Sequence, residues 1–307
     1  MIKQHMMIRQ YTMKGLNVIF IFLLLSSCSI LAPLPKKEKI AGSSSEQNKL
    51  KKLIQDLKGD KPTRDQARDA IITIGKPAIP LLAEELKTSN DFTLSWEAVN
   101  IMGYIGDREA TPILVEQVLK AENPHVRWRS IWAISQLNDD ERIIPELLKA
   151  LREGDERVRW NAAIALSNMD RKEAVPVLKE GLRAYSEWTQ WEAVNALGRV
   201  HDETTVRELL SLLKSSSDIG VRQETLLSLG RIGDTKAMPA LIEALSDKSP
   251  DIRCRAALAL GMMSDQQAVP ILEEHLKGEK DPVAKEYMQD ALKSLKGQVS
   301  SYGQGKE

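Results

Sequence analysis

The chain has 307 residues, and its 43 Lys plus Arg are balanced by 43 Asp plus Glu. That balance excludes the strongly basic face of a polyanion-binding protein, so nucleic acid is not an expected partner. Two cysteines, Cys28 and Cys254, are too few for a disulfide framework or a cysteine-rich metal site.

Residues 1–14 carry Lys3, Arg9 and Lys14 and no acid, Leu16 to Leu25 form a nearly unbroken apolar run, and Leu25-Ser26-Ser27-Cys28 follows. This layout predicts a secretory signal over 1–27. About ten apolar residues are half of the roughly 20 that a membrane-spanning helix needs, so a permanent anchor is not expected. Met13 is a second conventional start. The Leu-Ser-Ser-Cys ending resembles the lipobox of bacterial lipoproteins. The resemblance implies that Cys28 is the lipidated first residue of the mature protein, held to a membrane of the cell envelope by its lipid. Ser29, where an Asp would retain some lipoproteins at the inner membrane, points toward the outer one. Removal of 1–27 leaves three more acids than bases, a mild acidity that favours solubility. Residues 28–45 read as the lipidated Cys and a flexible tether, with Pro33, Pro35, Lys36-Lys37-Glu38-Lys39 and Gly42-Ser43-Ser44-Ser45. At about 3.3 Å per residue the tether spans up to roughly 55 Å.

From about residue 46 two kinds of helix alternate. The first opens near a proline, at Pro80, Pro112, Pro145, Pro176, Pro239 and Pro270, with Arg207 standing in once; proline suits a first turn, where its missing N–H has no intrahelical partner. The second begins after Asp91, Asn123, Asp155, Ser186, Asp218, Ser249 and Asp281, all N-cap types. Eight pairs of about 31–32 residues result, and pairs that short bury their apolar faces only by stacking on one another. The predicted fold is an all-α solenoid over 46–297, followed by a disordered tail at 298–307.

The second helices carry Val126-Arg127, Val158-Arg159, Val221-Arg222 and Ile252-Arg253 within Val-Arg-x-x-Ala-x-x-Ala-Leu. This pattern resembles HEAT repeats, in particular the short subclass named after phycobilisome bilin lyases. The resemblance implies a right-handed superhelix with the Arg-bearing helices lining the concave surface. It also implies a structural ladder of Arg64, Arg127, Arg159, Arg222 and Arg253 pairing with acidic turn residues. Ser95, Gln190 and Ala284 interrupt the ladder, so repeats 2, 5 and 8 are expected to join their neighbours less tightly.

One column of the second helices reads Trp96, Trp128, Trp160, Trp191, Gln223, Cys254, and all six tryptophans lie between 96 and 191. With about 100° per residue, the apolar positions fill roughly 140° to 300° from the tryptophan column. The column, with Glu97, Asn100, Arg129, Asn161, Glu192 and Asn195, is therefore predicted on the groove side. The four indoles would form a row about 30 Å long, with Trp132 one turn beyond Trp128. Two readings stand: a groove that binds a protein or peptide, and aromatics that staple the seams between repeats. Clustering in repeats 2 to 5 favours the groove, since a seam requirement recurs throughout.

Catalytic signatures are missing. Deoxyhypusine hydroxylase, an iron enzyme with similar repeats, places His on the Trp96 column and Glu on the Glu97 column. Here Glu97 and Glu192 remain without the histidines, so no metal or cofactor is expected. No phosphate loop or nucleophile elbow is present. The expectation is a non-enzymatic, membrane-tethered scaffold, with a bilin-lyase-like or hydroxylase-like enzyme as the alternative.

Overall fold

A computed structural model describes residues 44–184 and 186–297; the predicted signal, Cys28, most of the tether and the tail at 298–307 lie outside them. The described residues form sixteen α-helices. The first helices of the pairs are α1 (Ser44–Asp56), α3 (Ile79–Thr88), α5 (Thr111–Lys120), α7 (Asp140–Glu153), α9 (Val175–Gly181), α11 (Val206–Ser215), α13 (Met238–Ala244) and α15 (Ala268–Gly278). The second helices are α2 (Lys61–Ile74), α4 (Phe92–Ile105), α6 (Pro124–Gln136), α8 (Glu156–Asn168), α10 (Glu187–Val200), α12 (Ile219–Ile232), α14 (Pro250–Met263) and α16 (Pro282–Leu295). The eight expected pairs are present, and one apolar core runs from Leu50 to Leu295 between the two layers.

All seven expected caps sit at N-cap positions. Asp91, Asn123, Asp155, Ser186, Asp218 and Asp281 accept from first-turn amides, while the Ser249 side chain does not. Each such acceptor contributes about 1 kcal/mol relative to alanine. Five of the first helices are preceded by a single 3₁₀ turn, as at Arg108–Ala110 and Thr235–Ala237. Pro145 departs from the expected position: α7 runs back to Asp140 without a 3₁₀ turn, so the proline lies inside the helix.

Neighbouring second helices meet through a column seven residues after the tryptophan column. A Cβ on Gly103 would lie 3.0 Å from Ala133 Cα, one on Gly198 2.9 Å from Ser228 Cα, one on Gly230 2.6 Å from Ala259 Cα, and one on Gly261 3.2 Å from Ala291 Cα. Glycine at these places lets backbones approach side by side, and α4–α6, α10–α12, α12–α14 and α14–α16 pack along their length. In α6 and α8 the column holds Ser135 and Ser167. There the regular stacking lapses: α6 and α8 barely meet, and α8 packs against α5 instead, with Asn161 Nδ2 donating to the Leu119 carbonyl at 2.9 Å. On the other side of this seam α5 packs on α7, and an open cleft of about 910 Å³ is lined by both helices.

Candidate functional site

The tryptophans divide into two groups. In the first, Arg129 of α6 lies over the Trp132 ring, 3.6 Å from its centroid, with Trp96 at 5.7 Å and Tyr104 at 5.9 Å. Tyr104 packs edge-on to Trp132 at 5.1 Å, and Phe92 lies 6.2 Å from Trp96. The guanidinium donates to Asn100 Oδ1, and burial lowers its pKa. This group ties α4 to α6.

The second group spans repeats. Trp128 of α6 stacks with Trp191 of α10 at 6.5 Å and 23°, and Trp188 stacks with Trp191 at 5.4 Å and 18°. Trp128 and Trp188 close the triangle at 6.4 Å. Repeat 4 is bypassed. Trp160, the member of the column from that repeat, turns into the α8–α9–α10 seam, where a Cβ on Gly181 would meet its ring at 2.4 Å. The single 30 Å row is thus replaced by a compact triangle plus one seam indole, because α8 does not stack on α6 and the column is not collinear.

Beneath Trp128 lies a pocket of about 20 Å³ lined by Val118, Arg127, Trp128, Ile131, Trp160, Asn161, Ile164 and Glu192, room for about one water. Trp160 Nε1 donates to Glu192 Oε2 at 3.3 Å. Burial pushes the Glu192 carboxyl pKa up, and the Trp160 and Trp128 indoles and the Arg127 charge offset this only in part. Burial likewise lowers the Arg127 pKa, assisted by Arg157.

Four residues assigned to the groove lie elsewhere. Glu97, Asn100, Asn161 and Asn195 are 5%, 6%, 7% and 8% exposed. Glu97 takes Arg68 of the preceding repeat at 3.2 Å, Asn100 donates to Glu97 at 3.4 Å, and Asn195 donates to Glu224 of the next repeat at 2.7 Å. Their polar groups are committed to seams. The phase count fails here because a helix inside a solenoid packs on its layer partner and on both neighbours, and the extra contacts are polar. Conversely, Trp188, Tyr104 and Phe92, 58%, 53% and 46% exposed, were not assigned to the groove. The signal was available, since Trp188 precedes Trp191 by three residues and Phe92 precedes Trp96 by four, spacings that share a helix face.

The arginine column mostly links repeats. Arg222 reaches Asp247 at 2.6 Å, Arg159 reaches Glu180 at 3.7 Å, and Arg253 grips Glu279 through Nε at 2.7 Å and Nη2 at 2.8 Å. Arg127 instead donates to the Ala121 and Glu122 carbonyls of its own repeat, both at 2.8 Å. Arg64 lies half-buried in α2. Gln190, expected to break the ladder, donates to Ala184 O at 2.7 Å, a bond six residues back like those of Arg127 and Arg253. An arginine does not by itself secure stacking of second helices, since α6 carries one and barely meets α8.

Among the described residues no three His, Cys, Asp or Glu side chains cluster as metal ligands, and no helix is long and apolar enough to cross a membrane. Cys254 is buried, and burial raises its pKa, which disfavours the reactive thiolate.

By sequence, no curated protein matches the chain. Kap95p, solved with RanGDP, superposes with a TM-score of 0.57 at 14% identity, over 87% of this chain and 43% of its own. YibA of Escherichia coli does so with a TM-score of 0.50 at 19% identity, over 84% of this chain and 99% of its own. The CpcE–CpcF phycocyanin lyase of Nostoc sp. gives 0.42 at 19% identity, over 87% of this chain and 100% of its own. These likenesses concern the fold. The sequence profile of HEAT repeats matches residues 79–145, 144–226 and 206–293, and the chain belongs to the HEAT-repeat family.

Proposed function

We propose that this HEAT-repeat protein is a non-enzymatic scaffold of the bacterial cell envelope, lipid-anchored through Cys28, that binds a protein or peptide partner along its second helices. The observation that carries the reading is the indole triangle, in which Trp188 and Trp128 remain 58% and 36% exposed. Exposed, clustered aromatics are the side chains most enriched at the centres of protein interfaces. The half-buried polar rim of Arg127, Arg129 and Glu192 supplies orientation. The lipobox-like Leu25-Ser26-Ser27-Cys28 supports the anchor, and Ser29 the outer membrane.

A photo-cross-linking residue placed at Trp188 is expected to give discrete protein adducts in intact cells, and the same residue at exposed Lys214 of α11 to give none. Equal adducts at both positions, or none at 188, overturn the binding surface. The anchor is tested separately. Cys28→Ser is expected to release the protein from the membrane fraction and abolish lipid labelling, and unchanged membrane association overturns it.

A further inference from the structure

Eight residues after the tryptophan column the second helices carry Asn168 in α8, Arg199 in α10 and Arg231 in α12. On α10, Arg199 follows the exposed Trp188 by eleven residues, a spacing that returns to the same helix face about 16 Å further along the axis. The contact of Gly198 with Ser228 brings α10 and α12 together one residue before Arg199 and three before Arg231, so two half-buried guanidiniums are neighbours. Arg231 Nη1 donates to Glu224 Oε1 at 2.7 Å and to Ser228 Oγ at 3.4 Å. Arg199 Nη1 donates to Asn168 Oδ1, an amide whose Nδ2 donates to the Ile164 carbonyl at 2.8 Å. Among the described residues no carboxylate lies within ion-pair distance of Arg199. Arg127 is met by carbonyls and Arg129 by ring faces; Arg199 has neither, and one amide oxygen occupies one of its five N–H donors. Burial lowers its pKa, the Arg231 charge adds to this, and Glu224 offsets it only in part.

We propose that Arg199 and Arg231 form an oxyanion site in repeats 5 and 6, and that it takes an acidic side chain of the same protein partner that covers the indole triangle. Two guanidiniums and the Glu224 carboxylate leave one positive charge, which matches a monoanionic carboxylate better than a phosphate dianion that Glu224 repels more strongly. Arg199 presents the planar fork that suits a carboxylate. Asn168 holds Arg199, and Glu224 with Ser228 holds Arg231, so the donors are ordered before the anion arrives. Glu224 is itself fixed by Asn195 Nδ2 at 2.7 Å. The separation of about 16 Å from Trp188 corresponds to about five residues of extended chain, so the partner segment carries an apolar residue and an Asp or Glu at about that spacing. Arginines in a last turn also offset the partial negative charge of their own helix end, a role that binds no anion. The inference rests on the binding reading above for the occupant being a protein, and not for the anion site itself.

Acetate is the probe for the site. In the full-length protein with ¹⁵N-labelled arginine, the Nε–H signals of Arg199 and Arg231, assigned through Arg199→Gln and Arg231→Gln, are expected to move saturably as acetate replaces chloride at constant ionic strength. The signal of Arg68, closed by Asp65 and Glu97, is expected to stay. Arg199→Lys, which keeps the charge and loses the fork, is expected to weaken acetate about three- to tenfold. Glu224→Gln keeps an acceptor for Asn195 and is expected to tighten acetate about two- to tenfold, a gain that misfolding does not produce. No saturable shift, or no gain in Glu224→Gln, overturns the site, and saturation by phosphate below the acetate concentration overturns the carboxylate. For the occupant, adducts from a photo-cross-linking residue at position 188 are expected to fall about tenfold or more in Arg199→Gln. Undiminished adducts overturn the acidic partner while the binding reading stands. Absence of adducts in the parent overturns the binding reading and the protein occupant together, whereas the acetate shifts still decide the anion site.

Discussion

The joint between repeats 7 and 8, where α14 packs along α16, is also crossed by an ion pair whose contribution can be weighed by pH. Arg253 grips Glu279 with both Nε and Nη2, the two side chains being 16% and 5% exposed. The amides of Lys280 and Asp281 also donate to Glu279 Oε1, at 2.9 and 2.8 Å. The Arg253 hydrogen bonds, opposed by burial and helped by those amides, hold the carboxyl down to about 2 from an ordinary 4.5. At about 1.4 kcal/mol per tenfold, the ionised form contributes about 3 kcal/mol at neutral pH. Glu279→Gln keeps an acceptor for the amides but loses the charge, so about 2 kcal/mol of that is expected to disappear at pH 7. Because the folded pKa is depressed, the contribution is complete above about pH 4.5 and fades as pH falls toward 2. Urea unfolding of parent and variant between pH 7 and pH 2, with hydrogen exchange of α14 and α16 read in parallel, measures the difference directly. A gap that stays constant from pH 7 to pH 2, or one below about 0.5 kcal/mol at pH 7, refutes the assigned role of the pair.

Gly230→Ala is expected to destabilise by about 1–2 kcal/mol in thermal unfolding, overpacking outweighing the gain in helix propensity, because its Cβ would meet Ala259 Cα at 2.6 Å. Trp160→Ala is expected to cost about 3–5 kcal/mol and Trp188→Ala less than about 0.5 kcal/mol, the first indole being seated in a seam and the second mostly exposed; equal losses would contradict that division. For Glu192 the sign is opposite to that of Glu279. Burial raises its folded pKa, so its ionisation opposes folding as pH rises above the ordinary value, and Glu192→Gln is expected to be more stable than the parent at pH 7 and no more stable at pH 4.

The solenoid was legible because its signals are local and repeat. Asp91, Asn123, Asp155 and Asp218 cap helices through their own side chains, and residue type alone marks them. The seams were less legible. Asn195 looks groove-facing on its own helix, and only the arrival of Glu224 from the next repeat turns it inward. Gln190 reads as a missing arginine until its amide is seen to reach the same carbonyl six residues back. The tryptophan column was found, but not its geometry, since collinearity assumes that every repeat stacks alike. The interruption that breaks it, Ser135 and Ser167 among Gly103, Gly198, Gly230 and Gly261, is itself a sequence pattern.

That interruption also bears on cooperativity. In a linear array, stability is a sum of repeat terms and nearest-neighbour couplings, and a boundary between folded and unfolded segments settles where the coupling is weakest. Here the second helices from α10 to α16 pack along their length, whereas α2 on α4 and α6 on α8 meet far less, so such boundaries settle in the N-terminal half of the array. The C-terminal block, whose α10, α12, α14 and α16 are joined through three successive glycine contacts, is the later to unfold. Hydrogen exchange that is slowest in α12 and α14 is the signature of an array whose glycine contacts are continuous only toward its C-terminus.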